Sequence, residues 1–330
     1  MTAALRVGTR GSDLALAQTK VVAAALGKAS GLEVELVTVT THGDTSRESL
    51  ASLGGTGVFA SALRESLLAG ECDVIVHSLK DLPTSAHPGL VIGAVPRRAD
   101  ARDVLCASDA LRSGNGATLS ALPPGSRVGT GSPRRMAQLR AARGDIEIVD
   151  IRGNIDTRLR RVSADASDAD RLDAIVLAAA GLGRIGRSDA ATQTFSLSDW
   201  PTAPGQGALA LEVRDGEQRG SAPLAKALAS VNHATTRAIV SAERLVLAGL
   251  EAGCAAPIGA TALIEDGLLF LTATVYKPDG TEKLTSSHAT SLEGAALHAL
   301  LAAAQGAADR VVAELLESGA ADLAPVGGAA

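Results

Sequence analysis

At 330 residues the chain has room for two or three domains at roughly 100–200 residues each. With 46% hydrophobic and 20% charged residues its composition is that of a globular protein, which excludes disorder, collagen-like repeats and a disulfide-stapled miniprotein. Aromatic residues make up only 2%, so the core must be Ala, Val, Leu and Ile, and a nucleic-acid surface of stacked aromatics is disfavoured. The net charge of −5 gives no global attraction to polyanions, so an anionic partner has to be met by a local cluster. The excess of Arg over Lys, 25 to 6, suits bidentate recognition of carboxylate or phosphate as well as it suits a GC-rich genome.

Three cysteines, Cys72, Cys106 and Cys254, are too scattered for a disulfide framework, and none has zinc-ligand spacing. The opening MTAALRVGTRGSDLALAQTK lacks the basic segment, apolar core and cleavage site of a secretory signal. The longest apolar runs, such as Ala174 to Leu182, fall short of the roughly 20 residues that span a bilayer. The expected setting is cytoplasmic, with no membrane partner.

Leu5 to Gly8 reads as a strand, and Ser12 as the cap of a helix in which Leu14, Leu16, Val21, Val22 and Leu26 recur at near-helical spacing. Leu32 to Val39 is a second strand, Gly57 to Leu68 a helix, and Cys72 to His77 a compact apolar strand ending in the turn Ser78-Leu79-Lys80-Asp81-Leu82-Pro83. This α/β pattern predicts mostly parallel strands. After a break at Pro96 to Asp103 the logic repeats: strand Val104 to Ala107, strand Arg127 to Gly129, helix Ser132 to Arg143, strand Ile146 to Ile151, helix Asp156 to Val162, strand Ala174 to Ala178. Ser163 to Asp170 is a polar surface loop. WPTAPGQG precedes strand Ala208 to Val213. Helical sequence then runs from Leu224 to Leu250, followed by the strands Ala260 to Ile264 and Leu268 to Tyr276 around Asp266-Gly267, and a long helix from Leu292 to Leu316.

Four times a strand ends in a cationic or hydroxylated turn before a helix: Thr9-Arg10-Gly11-Ser12, Ser78-Leu79-Lys80-Asp81, Gly129-Thr130-Gly131-Ser132-Pro133-Arg134-Arg135 and Ile151-Arg152-Gly153-Asn154. Ligands of α/β sheets lie beyond the carboxyl ends of strands, where helix N-termini offer free N–H groups, so these turns suit an anion. Singly each has a plainer reading: Ser12 as a helix cap, Arg134 and Arg135 as a solvated helix start, Arg158 to Arg161 as an exposed basic face. Their recurrence in both blocks points to a polyanion held between two domains. Asp81 beside Lys80 is either a turn carboxylate or a group that stabilises a cation and moves protons in such a cleft. Cys254 lies in a loop with no neighbouring His to make a nucleophilic pair. Gly54-Gly55-Thr56-Gly57 and Gly181-Leu182-Gly183 match neither a P-loop nor the Rossmann spacing.

Taken together, VGTRGSDLALAQ, GGTGVFASAL, DVIVHSLKDLPT, VGTGSPRR, DIRGNIDTRL, AIVLAAAGLGRIG, PGQGAL and EAGCAAPIG resemble the porphobilinogen deaminase (hydroxymethylbilane synthase) family over essentially the whole chain. HSLKDLPT and GCAAPIG are the specific segments. The resemblance implies a heme-biosynthesis enzyme with two α/β domains like the lobes of type II periplasmic binding proteins, plus a small C-terminal α+β domain. The implied boundaries are 1–102 with 204–222, 103–203, and 223–330. It further implies that porphobilinogen loses ammonia to give an azafulvene cation, attacked by the growing pyrrole chain, four times over, on a dipyrromethane cofactor held by a thioether to Cys254. Hydrolysis then releases the tetrapyrrole. In this reading Asp81 is catalytic. Lys80, Arg134 and Arg135, with Ser78, Thr130 and Ser132, contact the cofactor, and Arg10, Ser12, Arg152, Arg158 and Arg184 contact substrate or the growing chain. The partner is a small molecule acting on a monomer, with no nucleic acid and no metal.

Thr56 and Ser61 stand where relatives carry basic residues, and Gly131 and Pro133 where many carry Ser and Leu. Two competing classes are set against this reading. A two-lobed anion receptor needs neither a third domain nor Cys254, and a cysteine hydrolase needs a base that the neighbourhood of Cys254 does not supply.

Overall fold

The computed structural model describes residues 4–40, 60–112, 117–252 and 256–324. In chain order these form β1 (Leu5–Arg10), α1 (Asp13–Ser30), β2 (Val34–Val39), α2 (Ser61–Leu68), β3 (Val74–Ser78), a 3-10 turn at Leu79–Asp81 and β4 (Leu90–Ala94). Next come β5 (Asp103–Ala107), β6 (Arg127–Gly129), α3 (Pro133–Ala142), β7 (Glu147–Val149), α4 (Ile155–Arg160), β8 (Ala174–Ala178), α5 (Ala179–Arg184), β9 (Gln193–Thr194) and β10 (Leu209–Arg214). Then follow α6 (Pro223–Val231), α7 (Ala234–Gly249), β11 (Ile258–Glu265), β12 (Leu268–Tyr276), β13 (Lys283–Ser291) and α8 (Leu297–Glu317). The segment Gly54 to Phe59, with Thr56, lies outside the described residues, and the helix read from Gly57 is described from Ser61 onward.

Two five-stranded sheets follow one plan. The first has the order β2-β1-β3-β10-β4, with β1 parallel to β2 and β3 and with β10 antiparallel to both its neighbours. The second has the order β7-β6-β8-β5-β9, with β6 parallel to β7 and β8 and with β5 antiparallel to both its neighbours. The odd strand in each is the one that crosses between lobes: β5 enters the second sheet straight after β4, and β10 returns to the first. The mostly parallel pairing expected from the sequence is therefore mixed, because a doubly buried strand is an apolar run whichever way it points. The architecture is that of two type II periplasmic-binding-protein-like lobes and a smaller unit, in which α7 and α8 cover the antiparallel sheet β11-β12-β13.

Small aliphatic residues fill the interior. Val7, Val74, Val76, Leu211 and Val213 of the first sheet bury against Val22 and Leu26 of α1 and Leu228 of α6. In the third unit Ala260, Ala262 and Ala273 meet Ala242 of α7 and Ala304, Ala307 and Ala308 of α8. Side chains this short let helix and sheet approach closely, so native density needs few aromatics.

The helical stretch read from Leu224 to Leu250 is two helices. His233 interrupts it, its Nδ1 accepting the Thr236 N–H at 3.1 Å as an N-cap, while Oδ1 of Asn232 accepts the Val95 N–H at 2.9 Å. Strand β13, KLTSSHATS, escapes a sequence reading because the one side it buries fully is Ser286, leaving no apolar alternation. Among the described residues no helix is long and apolar enough to cross a membrane.

Candidate active site

In open α/β sheets a ligand sits beyond the carboxyl ends of strands where the chain switches sides. In the first lobe that point lies between β1 and β3, in the second between β6 and β8. A cleft of about 1030 Å³ opens there. The first lobe lines it with Arg10 and Ser12 after β1 and with Ser78, Lys80 and Asp81 after β3. The second contributes Arg135 from α3, Arg152 and Arg158 around the start of α4, and Arg184 at the end of α5. Ser12 lines the cleft and caps α1, its Oγ accepting the Ala15 N–H at 3.4 Å.

The turn after β3 presents the two groups of opposite charge. Leu79 is buried and pins the 3-10 turn to the core, while Asp81 is exposed in the cleft wall. Lys80 Nζ reaches Gln206 Oε1 at 3.4 Å. Burial pushes the Lys80 ammonium down to about 8 against the pull of Asp81, with Arg135 adding to the depression. Burial and the charges of Arg135 and Arg152 likewise bring Arg158 down to about 10, opposed by Asp150 and by Asp81. The wall is thus crowded with cations that an anionic ligand would relieve.

Behind the wall lies a hub that sequence reasoning passed over. Asp103, the fully buried first residue of β5, accepts from Arg134 at 2.9 Å, Arg135 at 2.5 Å, Gln206 Nε2 at 2.8 Å and Trp200 Nε1 at 3.0 Å. Burial alone would raise its carboxyl, but the attraction of Arg134 and Arg135 outweighs that and holds it far below the usual range. The Nε atoms of Arg134 and Arg135 are buried without a hydrogen-bond partner. Arg135 belongs to the cleft wall, so a donor is left for a carboxylate there. Arg134, Thr130 and Ser132 lie outside that wall. Arg134 turns to Gln138 Oε1 at 2.6 Å and the Pro201 carbonyl at 3.2 Å, and fully buried Thr130 accepts the Ser132 N–H at 3.3 Å.

Departures in this turn have local causes. A Cβ on Gly131 would fall 2.5 Å from the Ile151 carbonyl oxygen, leaving no room for serine. Pro133 sits in the first turn of α3, where its missing N–H costs nothing.

The PGQG segment ties the lobes together. The Gly205 N–H donates to Glu243 Oε2 at 2.8 Å, and Gln206 connects Lys80 with Arg135 and Asp103. Gly207, at φ +85°, would put a Cβ 2.9 Å from the Ala99 carbonyl oxygen. Arg184 donates to the Gly207 carbonyl at 2.7 Å and to Gln18 Oε1 at 3.3 Å, joining the second lobe to the first. On the cleft floor His77 Nε2 lies 3.0 Å from Glu212 Oε2, and Arg64 grips the same carboxylate at 2.8–3.1 Å. Burial opposes ionisation of Glu212, yet the bonds from His77 and Arg64 bring it down to about 2. Cys254 lies outside the described residues, between Ala252 after α7 and Ala256 before β11.

The family model described as "Porphobilinogen deaminase, dipyromethane cofactor binding domain" matches residues 5–222, and "Porphobilinogen deaminase, C-terminal domain" matches residues 238–304. The chain is 68% identical over 325 residues to a porphobilinogen deaminase of Leifsonia xyli subsp. xyli, covering 98% of this chain and 95% of that one. It is 50% identical over 332 residues to a porphobilinogen deaminase of Cutibacterium acnes, covering 97% of each. Among solved structures, a periplasmic substrate-binding protein of an ABC transporter from Coxiella burnetii aligns at 15% identity with a TM-score of 0.41, covering 68% of this chain and 90% of that one.

Proposed function

The chain belongs to the porphobilinogen deaminase family, and from that premise we propose its reaction: four porphobilinogen molecules are joined, one deamination at a time, to a covalent dipyrromethane, and the linear tetrapyrrole is released by hydrolysis. The observation that carries this reading is the placement of Asp81. Among the described residues lining the cleft it is the only acid, set beside Lys80 and five arginines.

Each pyrrole ring brings an acetate and a propionate, which guanidinium groups bind in bidentate fashion. Arg10, Arg152 and Arg158, with Ser12, are assigned to substrate and growing chain. Lys80 and Arg135, with Ser78, are assigned to the cofactor, and Arg134, Thr130 and Ser132 support them from behind the wall. Arg184 keeps further donors for substrate beyond those that hold Gln18 and Gly207. When porphobilinogen loses ammonia, positive charge develops on its ring and methylene carbon. Asp81 stabilises that charge and takes the proton released once the new carbon–carbon bond has formed. The dipyrromethane, when bound, supplies the free α-carbon for the first such bond, and a thioether to Cys254 is its proposed attachment. The unpartnered Nε of Arg135 and the cationic wall fit a group carrying several carboxylates. The proposed domains are 1–102 with 204–222, 103–203, and 223–330, a division supported by the sheet each strand joins.

The direct test is the intact mass of the purified protein before and after porphobilinogen. The expected result is an excess of one dipyrromethane followed by additions of one pyrrole each, with Cys254→Ala losing both the excess and the turnover. A bare polypeptide mass that porphobilinogen leaves unchanged would overturn the reading. A second result follows from Lys80. Its cationic form holds cofactor carboxylates, so loading of cofactor-free protein from porphobilinogen, read by intact mass, is expected to weaken as pH climbs through about 8. In Lys80→Arg, whose guanidinium stays charged throughout, that alkaline loss should vanish. The same loss in both proteins would show that another group titrates.

A further inference from the structure

The 3-10 turn that presents Lys80 and Asp81 is a single turn closed by one internal bond, from the Leu82 N–H to the Leu79 carbonyl at 3.2 Å. So short a 3-10 segment has little intrinsic stiffness. The Leu79 carbonyl, which also accepts that internal bond, and the Leu82 and Pro83 carbonyls just past the turn are taken by an arginine from another part of the chain. Arg244 of α7 donates through one terminal nitrogen to Leu79 O at 3.0 Å and Leu82 O at 2.7 Å, and through the other to Pro83 O at 2.7 Å. A planar guanidinium that meets three carbonyls fixes both the position and the tilt of the turn, which a lysine's point-like ammonium cannot do.

Other polar contacts of α7 with the first lobe land away from this turn. Arg237 donates to Ile92 O at 3.0 Å and Gly93 O at 3.4 Å, on strand β4. Glu243 pairs with Arg98 at 2.7 Å. Of these polar contacts Arg244's is the one that lands on the turn that carries the reacting carboxylate, where Val240 of the same helix adds apolar packing with Leu79 and Leu82. The same helix ends at Gly249, five residues before Cys254.

We propose that Arg244 is a positioning residue for the condensation: it holds residues 79–83 so that Asp81 and Lys80 face the cleft, and it keys that turn to the helix leading to the cofactor-bearing segment. This rests on the function proposed above. Misplacing a reacting group by an ångström can cost about a hundredfold in rate, so the defect belongs in kcat. Substrate carboxylates are held by other arginines, so KM should change little.

The test compares Arg244→Ala, Arg244→Lys and Arg237→Gln with the wild-type holoenzyme, reading kcat and KM for porphobilinogen, intact mass and thermal midpoint. Arg244→Ala is expected to keep the covalent dipyrromethane, to lose about tenfold or more in kcat at nearly unchanged KM, and to recover part of it when millimolar guanidinium is added. Arg244→Lys should fall between the two. Arg237→Gln, which removes a comparable grip away from the turn, should lower the thermal midpoint and leave kcat intact. Equal kcat in Arg244→Ala and wild type would overturn the role. So would a loss shared with Arg237→Gln that tracks the folded fraction and ignores guanidinium. A wild-type enzyme that fails to consume porphobilinogen would instead bring down the functional reading on which the proposal stands.

Discussion

Asp81→Asn is expected to carry the covalent dipyrromethane at full occupancy and yet to turn over porphobilinogen about 10²–10⁴ times more slowly. The amide matches the carboxylate in size, so the turn at Leu79–Asp81 and its backbone bonds are retained. What disappears is the negative charge facing the ring as ammonia leaves, together with the acceptor for the proton lost afterwards. At about 1.36 kcal/mol per decade the predicted loss is about 3–5 kcal/mol of transition-state stabilisation. Removing the charge also releases the pull that opposes depression of Lys80, so the pH at which ligand affinity weakens should move below about 8. Steady-state ammonia release, with intact mass on the same sample, checks both halves. Turnover within a few-fold of wild type would remove Asp81 from the chemistry.

Asp103→Asn is expected to destabilise the fold by about 3–5 kcal/mol, the cost of stripping a buried charge pair of one partner. Here two buried arginines lose their common counter-ion, and the oxygen replaced by an amide nitrogen is lost as an acceptor either to Trp200 and Arg134 or to Gln206 and Arg135. The pH dependence has a definite sign. Asp103 has its folded-state carboxyl held far down, so its contribution is complete above the unfolded-chain value of about 3.9 and is lost as pH falls below it. The gap in stability between wild type and variant should be constant from neutrality to about pH 4 and close only in stronger acid. Urea titrations followed by the fluorescence of the single tryptophan would show this, because that indole donates to Asp103 directly. A difference under about 1 kcal/mol, the range of an exposed ion pair, would mean that the hub is not the junction described.

Sequence alone disclosed the parts of the site that are local. Arg10 and Ser12, and Lys80 and Asp81, stand at strand ends, and a strand end followed by a helix can be recognised within a short window. The α1 cap at Ser12 and the strands Arg127–Gly129 and Ala174–Ala178 were legible for the same reason. The plainer of the two readings of Arg134 and Arg135, a solvated helix start suggested by the polar PRRMAQLR, fails because both are buried against Asp103. Nothing near them in sequence announces that partner, which is more than thirty positions away. Gln206, Gln18 and the Arg64–Glu212–His77 cluster were missed similarly, their partners lying more than a hundred positions distant. Where an ion pair is made by topology, no spacing rule finds it.

The swapped fourth strands have a consequence for how the protein is born. Residues 103–203 are contiguous, so the second sheet has all its strands once that stretch has left the ribosome. The first sheet does not: between β3 and β4 it has a vacancy that only β10 fills, with Leu209 opposite Ser78. Closing a loop that long is slow, and N-terminal segments must wait for it. The Leu79 N–H that anchors the turn carrying Asp81 bonds to Ala208 O, just before that strand. The residues that would handle a reactive cation are therefore assembled only after β10, at residues 209–214 of 330, has been made, and the first lobe stays incomplete until that strand returns.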